Sequence, residues 1–78
     1  MPDNWNIIDP RTVGSEIRRT RLARGLTVEV ASGLAGINRT HLTKIEHGHR
    51  KPTLETFCRI AYALQISPSD LLKRIQSH

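Results

Sequence analysis

Arg39, Thr40, Thr43 and Lys44 place two cations and two hydroxyls within one short stretch, NRTHLTKIEH, residues 38–47. On a helix, Leu42 and Ile45 turn to one side at a spacing of three, and those four turn to the other. The outward face is therefore rich in donors, and its chemistry is hydrogen bonding and charge pairing rather than bond making. Just beyond it, His47, His49, Arg50 and Lys51 form a basic cluster that ends at Pro52. Such a cluster suits the oxygens of phosphate groups; a solvated loop is its plainer reading. Other chemistry finds little support. His47 and His49 stand two apart and Cys58 is the single thiol, whereas a zinc site takes three or four suitably spaced ligands. No Ser/His/Asp arrangement, phosphate loop or paired-carboxylate pocket is legible, so neither a catalytic residue, a metal, a cofactor nor an enzymatic activity is expected. Cys58 falls in the apolar stripe of a predicted helix and is expected as a core thiol.

Those residues need a scaffold, and 78 residues supply one small domain rather than two. A domain this size buries only about 60% of its unfolded surface, so its core is modest. With one cysteine there is no intrachain disulfide, and a compact helical domain in a reducing compartment is expected. The net charge of +5 and pI of 10.4 suit a polyanionic partner, although charge of this size also serves plain solubility. No apolar run approaches the roughly 18–20 residues that span a bilayer, so no membrane association is expected. MPDNWNIIDP has neither a basic start nor an apolar core of the kind a signal peptide needs. The expected location is the cytoplasm of a bacterium.

The pattern predicts five helices joined by short links, and no strand. Residues 1–9 read as an arm whose Trp5, Ile7 and Ile8 are too apolar for a pure tail; residues 10–78 read as the domain. Asp9 caps the first helix and Pro10 takes its first position. Val13, Ile17 and Thr20 face inward there, Arg18, Arg19, Arg21 and Arg24 share the helix, and Gly25 ends it. Thr27 caps a short second helix to about Ala35, in which small residues permit close helix approach and Gly33 costs about 1 kcal/mol relative to alanine. Gly36 makes a tight turn, Ile37 plugs the core, and Asn38 caps a third helix from Arg39 to His47, closed by Gly48. Thr53 caps a fourth helix, with Leu54, Phe57, Ile60, Ala61 and Leu64 on one stripe. Ser67-Pro68-Ser69-Asp70 supplies a cap, a proline at the first helical position and an acid three residues on. It opens a fifth helix carrying Leu71, Leu72 and Ile75.

A helix, a glycine turn and a polar-faced helix in this order resemble the helix-turn-helix of the Cro/C1-type (XRE-like) family of bacterial and phage regulators. Three stretches carry the resemblance in one register, from Val13 to Ile75: VGSEIRRTRLARGLT, AGINRTHLTKIEHGHRKPTLETF and RIAYALQISPSDLL. The resemblance implies an all-α, compact five-helix, lambda-repressor-like DNA-binding domain, with helices 2 and 3 as the motif and helix 3 in the major groove of double-stranded DNA. It implies base contacts from Arg39 and Thr40, with Lys44 one turn on. Arginine bridges guanine O6 and N7, and threonine meets a thymine methyl or donates a hydrogen bond. Thr43 and His41 flank them, Thr43 toward the bases and His41 toward the sugar-phosphate. Phosphate contacts are expected from Thr27, Asn38, His47, His49, Arg50 and Lys51. Arg21 and Glu46 occupy positions that pair in relatives and would lock helix 3 to the scaffold.

The chain departs from the family pattern in its second helix. Many members have glutamine, a phosphate anchor, where this chain has Val28; the usual inner leucine is Ala31 and the small alanine after it is Ser32. Leu34 stands where a charged residue is common, as an exposed apolar contact. The function so implied is a sequence-specific transcriptional regulator, a homodimer on a two-fold operator. Helix 5 (Leu71, Leu72, Ile75), joined by Trp5, Ile7 and Ile8, is its expected dimer surface unless those residues simply complete the monomer core. The alternative is an antitoxin-like or adaptor protein whose main role is to bind a partner protein through the N-terminus and Leu34. An interaction module that has lost DNA binding has Val28 alone in its favour.

Overall fold

The computed structural model describes residues 8–77, in which all regular structure is helical. Trp5 and Ile7 of the expected arm lie outside the described residues. The helices are α1 (Pro10–Ala23), α2 (Val28–Ala35), α3 (Arg39–Glu46), α4 (Leu54–Ala63) and α5 (Pro68–Gln76). Each begins at a residue whose side chain accepts a hydrogen bond from the free N–H groups of the first turn. Asp9 accepts from Arg11, Thr27 from Val30, Asn38 from Thr40 and His41, Thr53 from Thr56, and Ser67 from Asp70. The links reverse direction through left-handed backbone at Gly25, Gly36 and Gly48, with φ of 70°, 69° and 78°. The fourth link uses Gln65 instead, with φ 57°. Arg24, at the end of α1, crosses to it: its Nε donates to the Leu64 carbonyl at 2.9 Å and its Nη2 to the Gln65 carbonyl at 3.0 Å. Carbonyls left open at the end of α4 are thus closed by a cation from another helix.

The core takes Val13 and Ile17 from α1, Ala31 and Ala35 from α2, and Leu42 and Ile45 from α3. Ile60, Ala61, Ala63, Leu64, Leu71 and Ile75 complete it from α4, the link and α5. Val28, Ile37, Phe57 and Ile66 are partly buried against this cluster. The most extensive helix pair is α2 with α4, where Ala31 and Ala35 present only methyl groups.

Four expectations change. Helix α3 ends at Glu46, and His47 is its C-terminal cap. Leu54, at the head of the predicted α4 stripe, is 80% exposed. Cys58 is exposed rather than a core thiol. It shares a flank with Leu54 and Tyr62 at spacings of four, and that row faces away from the Ile60–Ala61–Leu64 row that packs inward. Leu71 and Ile75 are buried in the monomer, so only half-buried Leu72 remains of the apolar surface expected on helix 5.

Candidate nucleic-acid interface

The outer face of α3 is built from its buried side. Leu42 and Ile45 fix its rotation by packing into the core, which turns Arg39, Thr40 and Lys44 to solvent and leaves His41 and Thr43 half-buried at the flanks. Its height above α1 is set by Gly14. A Cβ there would meet the backbone carbonyl of Ile45, and the Glu46 carbonyl oxygen at 2.5 Å. Only a residue without a side chain lets the two helices touch so closely. At the far end Arg21 of α1 grips Glu46: Nε donates to Oε2 at 2.7 Å and Nη2 to Oε1 at 2.9 Å. The remaining Arg21 Nη1 donates to the Leu26 carbonyl at 2.9 Å. Both side chains are buried. The hydrogen bonds Arg21 donates to Glu46 hold its pKa above the ordinary arginine value, so it stays charged at any working pH.

On the outward side Asn38, Thr40, His41, Lys44 and Arg50 line one shallow depression. The acceptor oxygen of the Asn38 carboxamide is used at the helix start, taking the Thr40 N–H at 2.7 Å and the His41 N–H at 3.3 Å. Thr27 accepts the Val30 N–H at 3.1 Å, and its own hydroxyl proton remains a donor. His47 and His49 pack edge to face, with ring centroids 6.0 Å apart. Lys51 is not gathered with the others. It lines a separate apolar groove with Ile8, Val13, Pro52, Leu54, Phe57, Leu72 and Ile75, and its charge acts on Asp9. The depression therefore receives two cations, Lys44 and Arg50, at a helix start, while His47, His49 and Lys51 are not among the residues that line it. Among the described residues no three of His, Cys, Asp and Glu gather as metal ligands, and no helix is long and apolar enough to cross a membrane.

Two contacts escaped the sequence reading. Gly14 was legible only as a glycine inside an amphipathic helix, a position that commonly marks close packing. Arg39 pairs with Glu29 of α2 across the turn, Nε to Oε2 at 3.0 Å. Within one helix such a pair is found from its spacing, but this one joins two helices, and no spacing rule announces it.

Comparison with known proteins places this arrangement. The family model HTH_3, described as Helix-turn-helix, matches residues 17–71, more than two thirds of the chain. The HTH-type transcriptional regulator y4dJ of Sinorhizobium fredii is 36% identical over 62 residues, 80% of each chain. The restriction-modification controller protein C.AhdI of Aeromonas hydrophila superposes with a TM-score of 0.78 at 33% identity, over 81% of this chain and 96% of that one. The clp gene regulator ClgR of Corynebacterium glutamicum has the same fold, with a TM-score of 0.82 at 20% identity over 87% and 88% of the two chains. A capped outward-facing helix locked to its scaffold, a glycine turn before it and these matches have one conclusion: the chain belongs to the HTH_3 family of Cro/C1-type (XRE-like) helix-turn-helix transcriptional regulators.

Proposed function

We propose that the protein reads a specific double-stranded DNA site by placing α3 in the major groove, and regulates transcription by occupying that site as a homodimer in the cytoplasm. It acts by binding, without catalysis. The observation that carries this is the convergence of Asn38, Thr40, His41, Lys44 and Arg50 on one depression beside Arg39. Arg39, Thr40, Thr43 and Lys44 take the base edges. Thr27, Asn38, His41, His47, His49, Arg50 and Lys51 take phosphates; for Asn38, whose oxygen is occupied, the amino half of the carboxamide is the contact. With Val28 turned to the core, the phosphate grip falls more heavily on the loop after α3. C.AhdI is by its name a controller protein, and a controlling role is the corresponding reading for this chain.

The dimer reading rests on the apolar groove among Ile8, Leu54, Phe57 and Leu72, and on the small interface that one module of this size makes with DNA. Two copies related by a two-fold axis would meet half-sites about 34 Å apart. Selection of binding sites from random duplexes, repeated at several salt concentrations, tests the whole reading, and a symmetric enriched motif is expected. Lys44→Ala should relax discrimination at one base pair by about 1–3 kcal/mol. Lys51→Ala should weaken all duplexes alike and reduce the salt slope by about one. Equal losses on every duplex for both variants refute the assignment. Leu54→Glu should yield monomers without loss of fold, since Leu54 is already exposed.

A protein partner is the second reading, favoured by exposed Leu34 and Tyr62 side by side at the α2–α4 surface. A Leu34→Glu/Tyr62→Glu variant that keeps its affinity for the selected duplex but loses regulation in cells supports it; unchanged regulation removes it.

A further inference from the structure

We propose that Glu29 is the positioning residue that makes Arg39 discriminate among bases, an inference that rests on the major-groove reading of α3. Glu29 lies in the first turn of α2, and Arg39 is the first residue of α3. Their ion pair bridges the turn on its outward side, Nε to Oε2 at 3.0 Å. The carboxylate thus sits on the Nε side of the guanidinium as a charge contact. The terminal edge, Nη1 and Nη2, is left as the fork that spans guanine O6 and N7. Both side chains are well exposed, 68% for Arg39 and 62% for Glu29, so the pair is a directing contact and not a stabilising one.

Two physical consequences favour the right base. A guanidinium already drawn to one side by a fixed charge loses less freedom when it docks on a planar acceptor pair. A carboxylate beside it also repels phosphate oxygens, so Arg39 gains little from settling on backbone instead of base. A guanine edge carries neutral acceptors and escapes that repulsion. Glu29 therefore costs general affinity and adds discrimination, which is specificity obtained by disfavouring the wrong contact.

The test measures dissociation constants by fluorescence anisotropy at one salt concentration on three duplexes. These are the selected site, the same site with the Arg39-dependent base pair exchanged, and an unrelated sequence. Arg39→Ala identifies the base pair. Glu29→Ala should bind the unrelated duplex more tightly, while its ratio between selected and exchanged sites falls about three- to five-fold, the scale of an exposed ion pair. Glu29→Gln keeps the size of the side chain and loses the charge; its ratio should fall as that of Glu29→Ala does, and it should likewise bind unrelated DNA more tightly. In the Arg39→Ala background, Glu29→Ala should leave the ratio unchanged. A ratio unmoved by Glu29→Ala, or moved equally without Arg39, overturns the proposal while leaving DNA reading intact. A parent protein that prefers no duplex overturns both, and is recognised by the absence of any selected motif. Unchanged melting temperatures in the Glu29 variants exclude a folding cause.

Discussion

Arg21→Ala should be the most damaging single change on the inner side of α3. It removes both N–H groups that hold the Glu46 carboxylate, at 2.7 and 2.9 Å, and the donor to the Leu26 carbonyl at 2.9 Å. Glu46 is only 7% exposed, so the variant leaves a buried charge without its main partner. Breaking one side of a buried pair costs about 3–5 kcal/mol. A domain of this length has roughly 4–12 kcal/mol of stability in all, and each kcal/mol moves the midpoint about 4–8 °C. A fall of at least about 12 °C is therefore expected in a thermal melt followed by far-UV circular dichroism. The companion is Arg21→Met with Glu46→Leu. Replacing both ions by apolar groups of similar size is often neutral or stabilising, so the double variant should recover most of the loss. The charge on Arg21 itself stays constant across usable buffers: a raised arginine pKa contributes stability below its unfolded value and loses it only as pH rises through the folded value. Two results refute the reasoning. A midpoint within about 3 °C of the parent for Arg21→Ala would mean the pair holds nothing, on the same scale. A double variant no better than Arg21→Ala would mean that the loss is packing rather than an unpaired carboxylate.

Four further outcomes follow from the backbone and the caps. Gly14→Ala, which drives a methyl into the Ile45 and Glu46 carbonyls, should cost at least about 1–3 kcal/mol in a denaturant melt and weaken DNA binding. Gly33→Ala, in open space, should add about 0.4–1 kcal/mol; equal signs at the two glycines would contradict the packing described. Gln65→Gly relieves a left-handed side-chain-bearing residue and should raise stability by up to about 1 kcal/mol, whereas a drop in melting temperature would refute strain there. Asp9 has its carboxyl pKa lowered below 3.8, first by the Arg11 backbone N–H and then by the Arg11 side chain. A depressed acid contributes stability above its unfolded value and loses it as pH falls through the folded one. The melting temperatures of Asp9→Asn and the parent should therefore differ at neutral pH and converge below about pH 3.8.

Most of the frame was legible because its signals are local. Asp9, Thr27, Asn38, Thr53 and Ser67 each cap the helix expected of them, since capping needs only a short oxygen-bearing side chain and a free first turn. Leu42 and Ile45 face inward as their spacing of three requires. The Arg21–Glu46 pair was not local, and only the family resemblance pointed to it. Cys58 and Leu54 were misplaced because α4 is apolar over more of its circumference than the core covers, so composition widened the stripe beyond what α2 and α5 bury. Leu71 and Ile75 went to the core because they lie four apart on the face of α5 that packs against α1 and α4. Gly14 and the Glu29–Arg39 pair depend on where two helices meet, which no window along the chain contains.

The helix-turn-helix is thus held by three kinds of contact that fail in different ways. On the inner side Gly14, Leu42, Ile45 and the Arg21–Glu46 pair fix α3 to α1 through buried groups; substitutions there change folding first and binding only as a consequence. At the edge His47, His49, Arg50 and Lys51 are exposed and follow the helix in sequence; on the proposed reading, substitutions there should shift affinity for all duplexes together and change its salt dependence. On the outer face the Glu29–Arg39 pair is exposed; on the proposed reading, substitutions there should spare folding and alter preference among duplexes. Because these sites share no side chain, their effects should add within about 0.3–0.5 kcal/mol when combined across groups. Lys51→Ala joined to Glu29→Ala is the sharpest case: its altered base preference should equal that of Glu29→Ala alone, and its reduced salt slope that of Lys51→Ala alone. A combined variant whose base preference also shifts with the loop would show that loop and reading face act as one unit.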